Sequence, residues 1–426
     1  MKNVQTPSTH RVNPPSFDST SSNIQTNMHD VIPYGRQTLD ESDRLAVMEV
    51  LATDFLTQGP WVSQFEQKLA DLFGCRDVIA VNSGTAALHL ACRGLDLQPG
   101  EWVWTTPITF LASANAARYC GAHVDFVDID PITRNISITA LHEKILSAEK
   151  NNLLPKILIV VHFAGQPVDM ASIYALTQQF GIAIIEDGCH ALGAHYEKSG
   201  RNGENFLVGK PIYADAVCFS FHPVKSITCG EGGAVCTNRG DIAQIARRLR
   251  SHGVERATDR LQAKNHETWY YEQHDLGFNY RLTDIQAALG HSQIKKLASF
   301  IQRRREIAVR YQDELKNLPL KRPQNIELKH SAFHLYVIEF LENGLRDHMY
   351  RALRQQNIQT QVHYFPVHLH PYYQNLGFKT GQFPHAENYS QRCLSLPIFP
   401  TLTYDQQSRV IQGIRDFFNN NYSVTH

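Results

Sequence analysis

The run Ala216 to Asn238, AVCFSFHPVKSITCGEGGAVCTN, carries the side chain best suited to covalent chemistry. Lys225 stands five residues after Ser220, where an apolar strand pattern ends, and Gly230, Gly232 and Gly233 follow closely. Desolvation at the exit of a buried strand lowers a lysine's pKa and frees the neutral amine, as a lysine that forms a Schiff base with a carbonyl group requires. A solvated lysine in a Gly-rich loop is the competing reading, and this window alone leaves both open. A second window is Asn82-Ser83-Gly84-Thr85, between the strand pattern DVIAV and the helix pattern AALHLACRGL. Successive backbone amides and the Thr85 hydroxyl there face outward at a helix N-terminus, an arrangement that binds anions such as phosphate. An ordinary capped helix start is the alternative.

Asp187 ends the very apolar run IAIIED, at the strand end where open α/β sheets place their ligand crevice. A carboxylate there needs a cationic partner or donors. The pyridinium nitrogen of pyridoxal phosphate would meet that need, because a buried Asp keeps the nitrogen protonated and the protonated ring withdraws electrons from a substrate carbanion. A metal ligand or a structural ion pair competes, although Glu186, Cys189 and His190 do not have the spacing of a zinc site.

These groups require a scaffold that brings several strand ends together. Seven short β-branched or continuously apolar runs qualify as strands buried on both faces: DVIAVN (77 to 82), WVWTT (102 to 106), HVDFVDI (123 to 129), KILIVVHF (156 to 163), IAIIED (182 to 187), AVCFSF (216 to 221) and GAVCTN (233 to 238). Helix-length stretches such as Ala86 to Arg93 and Asp169 to Phe180 separate most of them. The pattern predicts an α/β fold, a mainly parallel seven-stranded sheet flanked by helices. Upstream, a helical pattern runs from Asp40 to about Phe55, and Ser63 with Glu66 three residues later reads as a capping box for a helix through Phe73. Helical patterns at about Asp241 to Ser251 and Thr283 to Leu315 lead into a smaller C-terminal α+β region. There HLYVIEF (334 to 340) reads as a strand, Arg346 to Gln356 as a helix and Tyr404 to Asn419 as a closing helix. The predicted organisation is a polar tail over 1–30, a large domain over 31–317 and a small domain over 318–426.

With 426 residues, 42% of them hydrophobic, the chain can bury a large core, and 41 basic against 41 acidic residues give no bias toward nucleic acid or anionic membrane. The basic runs Arg247 to Arg250 and Arg303 to Arg305 lie in helical patterns and read as solvated helix faces. Eight cysteines without a CxxC pair read as small core residues and fit a reducing compartment. The first residues hold no apolar stretch of signal-peptide length, and no apolar run reaches about 18 residues, so a cytoplasmic location is expected.

Gly84-Thr85, Asp187, Ser220 and Lys225 together supply a phosphate cradle, a ring-nitrogen partner and an aldehyde-capturing amine in one chain order. On these residues, and on the windows LTQGPWVSQFE, NSGTAAL, TTPITFLASANA, EDGCHALGA, FSFHPVKSITCGEGG, GFNYRLTDIQAALG and VHYFPVHLHPYY, the chain resembles the fold-type I, pyridoxal-phosphate-dependent sugar aminotransferases of the DegT type from about Ile32 to Phe418. The windows IPYGRQTLDESD and SLPIFP are similar to the transaminases of that family that make UDP-4-amino-4,6-dideoxy-N-acetyl-β-L-altrosamine on the way to pseudaminic acid.

The resemblance implies roles position by position. Lys225 matches the lysine that holds the cofactor covalently and later moves a proton; Asp187 matches the partner of the pyridine nitrogen, and His190 the group beside the phenolic oxygen. Gly84, Thr85 and Ser220 match phosphate ligands, while Phe110 matches the residue packed on the cofactor ring. Asn279 matches a phosphate ligand from a second subunit, which implies a homodimer with shared sites. Arg281 and His363 match sugar-nucleotide contacts, with a surface arginine and an ordinary histidine as the alternatives. His363, His368 and His370 are close in sequence, but the resemblance assigns their loop to the substrate edge rather than to a metal.

One window departs from the family: GRNGENFLVGKPIYAD, between His190 and Ser220, is longer than the compact connection expected there and reads as a surface loop insertion. The implied activity is transfer of an amino group from L-glutamate to the keto group of a UDP-linked 4-keto-6-deoxy-N-acetylhexosamine. A sugar dehydratase on the same scaffold is the rival enzyme, disfavoured by lysine at 225 where the dehydratase relatives carry histidine. A regulatory protein with a vestigial site is the non-enzyme rival, and it would leave the full set of cofactor groups unexplained.

Overall fold

The seven apolar runs form β1 (Asp77–Val81), β2 (Trp102–Thr105), β3 (His123–Phe126), β4 (Ile157–Val161), β5 (Ala183–Asp187), β6 (Ala216–Ser220) and β7 (Gly233–Thr237), all in one sheet. The structure, a computed structural model, describes residues 31–196, 205–264, 267–324 and 330–422. The tail expected over 1–30 and the first part of the expected insertion lie outside them. The sheet order is β1-β7-β6-β5-β4-β2-β3, with β7 antiparallel to both its neighbours and every other pair parallel. The register aligns Val161 with Asp187, and Gly233 with both Val81 and Ser220. The ends of β1, β5 and β6 therefore share one edge, where the loops carrying the candidate residues emerge.

Continuous apolar runs are needed because both faces are covered. Ile157 and Ile159 of β4 belong to one core and Leu158 and Val160 to the other, as the alternation of a strand dictates. Helices α1 (Glu41–Leu51), α2 (Pro60–Phe73), α3 (Gly84–Gly94), α4 (Leu111–Tyr119), α5 (Ile138–Lys150), α6 (Met170–Gln178) and α7 (Gly240–Arg250) accompany the strands. Nearly all of α3 is buried, and its sequence GTAALHLACRG is correspondingly rich in small residues.

The start of α2 differs from expectation. The helix begins at Pro60, a favoured first position, so Ser63 lies inside it and caps nothing. Its free amides are met from far away: the Asp284 carboxylate accepts from Gly59 N at 2.8 Å and from Trp61 N at 2.9 Å. Glu66 instead accepts from Ala80 N at 2.9 Å and pairs with Arg250 at 2.5 Å.

After the short ribbon of β8 (Val254–Glu255) and β9 (Glu272–Gln273), the pattern from Thr283 to Leu315 resolves into two helices, α8 (Asp284–Ile294) and α9 (Leu297–Glu314). Lys296 at the break binds Asp40 and Asp43 at the head of α1, at 2.7 and 2.6 Å. Apolar periodicity does not register so short an interruption. Beyond it, β10 (Leu320–Lys321), β11 (Tyr336–Phe340) and β12 (Cys393–Leu396) form an antiparallel sheet. With α10 (Leu345–Gln355), α11 (Pro371–Gln374), α12 (Pro384–Arg392) and α13 (Tyr404–Tyr422), this region supplies Ile338, Phe340, Leu353 and Ile414 to a third core, which Ile32 and the α9 residues Ile307 and Tyr311 share.

Two surface readings are overturned. Arg304 is not on a solvated face: it is 1% exposed, and its guanidinium donates to the carbonyls of Phe333, His334 and Ile398. The described half of the expected insertion is not a surface loop either, since Val208 is fully buried and Gly209 lies so close to Phe73 that a Cβ would sit 2.3 Å from its ring. No described helix is long and apolar enough to cross a membrane.

Candidate active site

A cavity of about 1110 Å³ opens at the shared strand edge, and Gly84, Thr85, Phe110, Asp187, His190, Ser220, Lys225 and His363 all line it. At one end Ser83 caps α3, its hydroxyl accepting from Ala86 N at 3.1 Å. The amides of Gly84 and Thr85 lie in the first turn, where no intrahelical acceptor exists. They are pressed against the sheet: a Cβ on Gly84 would sit 2.8 Å from Ser220 Cβ, and one on Gly233 2.4 Å from Ser83 O. Glycine at both positions lets β6, β7 and the head of α3 converge, so free amides and the Ser220 and Thr85 hydroxyls surround one small space suited to an anion.

Asp187 is 6% exposed, and no described cation forms an ion pair with it. Its Oδ2 accepts from Ser113 Oγ at 2.7 Å and its Oδ1 from Cys189 N at 3.1 Å, which fixes the carboxylate at the strand end. Lys225 enters through a short loop in which its own amide donates to His222 O at 2.9 Å. No described group bonds its Nζ. Burial pushes the ammonium below a lysine's ordinary range, and the Cys189 and Asp187 side chains pull it back only in part.

His190 packs against His334 with ring centroids 4.4 Å apart and meets the Tyr364 hydroxyl through Nε2 at 3.0 Å, while its buried Nδ1 has no partner. Burial, followed by the charges of Lys225 and His363, holds the imidazole well below its usual pKa. His363 is likewise pushed down to about 3, first by burial, and its Nδ1 lies 2.8 Å from Ser395 Oγ. Phe110, at the N-cap of α4, leaves an aromatic face 58% exposed in the cavity wall.

Not every expected residue arrives here. Asn279 and Arg281 flank the end of β1, where Asn279 O accepts from Asn82 and Arg281 donates to Ser251 Oγ at 3.1 Å, but neither lines this chain's cavity. His368 turns away to Glu387 at 3.0 Å, while His370 reaches the rim. None of the described residues of the expected insertion lines the cavity. Residues that the sequence analysis did not single out do line it: Tyr34, Glu231, His334, Gln361 and Tyr364. Tyr34 and Tyr364 stood inside quoted windows, but only packing shows that they face the same space.

An unpaired amine, a buried carboxylate without a cation, an orphaned imidazole nitrogen, an exposed aromatic face and a glycine-lined amide cradle fit a flat heteroaromatic aldehyde that carries a phosphate. Comparison with known proteins agrees. Residues 37–415 match the model of the DegT/DnrJ/EryC1/StrS aminotransferase family. The spore coat polysaccharide biosynthesis protein SpsC of Bacillus subtilis (strain 168) is 37% identical over 391 residues, 90% of this chain and 96% of that protein. Among solved structures, Helicobacter pylori PseC, an aminotransferase involved in the biosynthesis of pseudoaminic acid, superposes with a TM-score of 0.81 at 30% identity, over 92% of this chain and 100% of that one. Spr1654 from Streptococcus pneumoniae, assigned as a sugar aminotransferase, matches in its PMP form (TM-score 0.81, 26% identity, 93% and 99% covered) and its PLP form (0.80, 25%, 92% and 99%).

Proposed function

Since the chain belongs to the DegT/DnrJ/EryC1/StrS aminotransferase family, and so is a sugar aminotransferase that uses pyridoxal phosphate, we propose that it transfers an amino group from L-glutamate to the C4 keto group of a UDP-linked 4-keto-6-deoxy-N-acetylhexosamine. The observation that carries this reading is the meeting of an unpaired, desolvated Lys225 amine and the Asp187 carboxylate in one cavity with the head of α3. Pyridoxal phosphate, when bound, supplies an aldehyde that accepts the amino group and a ring that delocalises the charge left on the substrate carbon.

The chain's own groups perform the rest. The Gly84 and Thr85 amides with the Ser220 and Thr85 hydroxyls hold the phosphate at the positive end of α3. Asp187, held by Ser113 and the Cys189 amide, keeps a proton on the ring nitrogen, because a buried carboxylate strongly favours a positive partner. Phe110 would supply an aromatic face for the ring, and His190 would be the group beside the phenolic oxygen. Lys225 binds the cofactor between turnovers. With the donor in place, the lysine amine would take a proton from one carbon and return it to another, in each half-reaction, as a general base and acid; the lowered pKa raises the share of neutral amine.

Asn279, exposed on its own chain, reaches the phosphate of a second copy in a cytoplasmic homodimer; His363 contacts the sugar nucleotide in its own cavity, and Arg281, which does not line that cavity, contacts the one bound to the second copy. Likeness to an aminotransferase involved in the biosynthesis of pseudoaminic acid supports an amino-sugar product. Borohydride reduction of the loaded enzyme, followed by digestion and mass spectrometry, is expected to find the pyridoxyl mass on the Lys225 peptide; an unmodified peptide from fully loaded protein overturns the role of Lys225. Conversion to the pyridoxamine form, followed by a panel of keto-sugar nucleotides, identifies the acceptor as the one that regenerates the pyridoxal spectrum. Failure of every UDP-linked 4-keto sugar in that panel refutes the substrate.

A further inference from the structure

We propose that Tyr364 is a positioning residue that fixes the tautomer of His190, so that this histidine carries a single N–H, at Nδ1. The geometry leaves little choice. The imidazole is 6% exposed and is held between the rings of His334 at 4.4 Å and Tyr364 at 6.1 Å, the latter within 17° of parallel. Its Nε2 lies 3.0 Å from the Tyr364 hydroxyl, and that hydroxyl has no other described hydrogen-bond partner. Nδ1 is buried without a partner.

Both groups are neutral. Burial first, then the charges of Lys225 and His363, keeps the imidazole unprotonated, and burial together with the Asp187 carboxylate keeps the phenol protonated. One proton therefore sits on the ring and one on the phenol, and their contact can be made in two ways. If Nε2–H donates to the phenol, two needs go unmet: the phenolic hydrogen has no acceptor and Nδ1 has no donor. If the phenol donates to Nε2, only the Nδ1–H remains. Burying an unmet donor or acceptor is costly, so the second arrangement is preferred.

The consequence concerns orientation, and it rests on the aminotransferase reading for the identity of the ligand. Asp187 ends β5 and His190 follows three residues later, and both line the cavity, so an acceptor and a donor are carried on one short segment. A ring with a protonated nitrogen and a negative phenolic oxygen satisfies both in only one pose. Without Tyr364, the donor can become an acceptor facing that oxygen, and the pose loses its discrimination.

Long-range 15N–1H correlation on cofactor-stripped protein with labelled histidine tests the tautomer, with His190 signals assigned by their loss in H190Q. The wild-type protein is expected to carry the proton on Nδ1, and Tyr364→Phe is expected to shift Nε2 and populate the Nε2–H form. A wild-type proton on Nε2, or ring nitrogens unmoved by the substitution, overturns the proposal, and the wild-type spectrum decides alone if the variant does not fold. For the ligand, Y364F is expected to weaken pyridoxamine phosphate by about tenfold, roughly one hydrogen bond, and to leave its 3-deoxy analogue unaffected. An equal effect on both refutes the orienting role. A correct tautomer in a protein whose Lys225 is never labelled would instead remove the aminotransferase reading and leave the positioning intact.

Discussion

Substituting Gly233 by alanine tests the phosphate cradle without removing any group that contacts the ligand. The new Cβ would lie 2.4 Å from Ser83 O, 2.5 Å from Ser83 C and 2.7 Å from Gly84 N, all backbone atoms. Ordinary contact begins at 3.4 Å, so the gap must open by about 1 Å. Gly233 cannot retreat, because it is paired with Val81 on one side and Ser220 on the other; the head of α3 has to move. Overpacking of this kind costs about 1–3 kcal/mol of stability. A displacement of about 1 Å also carries an N–H···O contact from roughly 2.9 Å to roughly 3.9 Å, beyond hydrogen-bonding range. A hydrogen bond to a charged group contributes about 1.5–3 kcal/mol, so loss of one weakens binding by about 10- to 150-fold.

The ligand for the assay is pyridoxamine phosphate, which has no aldehyde for Lys225 and therefore reports the cradle. Titration of stripped protein is expected to show the loss in G233A while thermal unfolding shows a fold still cooperative but less stable. Gly84→Ala meets Ser220 Cβ at 2.8 Å, a smaller overlap with a side chain, and is expected to weaken binding less. Wild-type affinity in G233A, or a larger loss in G84A than in G233A, refutes the reasoning.

Three further outcomes follow from the contacts. Asp284→Ala strips the acceptor from Gly59 N and Trp61 N at the head of α2, and is expected to lower stability by about 2–4 kcal/mol in urea unfolding; a loss within 0.5 kcal/mol or so, the usual range for surface changes, would show that the distant cap does not matter. Arg134 and Glu339 form an ion pair with side chains 12% and 9% exposed, so Glu339→Ala is expected to cost about 3–5 kcal/mol, whereas the double change Arg134→Met with Glu339→Leu recovers most of it. Equal losses in the single and double variants, measured by the same unfolding assay, would contradict this. Because the folded protein holds Lys225 below a lysine's ordinary 10.5, the unfolded chain binds the extra proton between the two values, and wild-type stability rises with pH there. Lys225→Met is therefore expected to be more stable than wild type in stripped protein at pH 7, with an advantage that shrinks toward pH 10.5; a difference in melting temperature that is constant with pH would show that the amine is not desolvated.

All seven sheet strands, the α/β class and the turn at Gly84 were legible in the chain, because apolar periodicity and glycine at a strand-to-helix joint are local properties written into neighbouring residues. Lys225, Asp187 and Ser220 were legible for the same reason, each standing at or just beyond the end of a recognisable strand, whereas His190 and Phe110 came from the family resemblance; all five line one cavity. Partners distant in sequence were not. Ser63 had the spacing of a cap, but Asp284, 225 positions from Gly59, does the capping. Arg304 had the company of a solvated run, yet three carbonyls from other segments draw it into the interior. The residues near 208 read as a surface loop, yet Phe73 packs directly on Gly209. Tyr364 and His190 lie 174 positions apart, and nothing local to either announces the other. Short-range patterning specifies which elements form and where reactive groups emerge from them; which polar atoms then satisfy each other depends on how those elements pack, because a hydrogen bond is set by distance in space and not by distance along the chain.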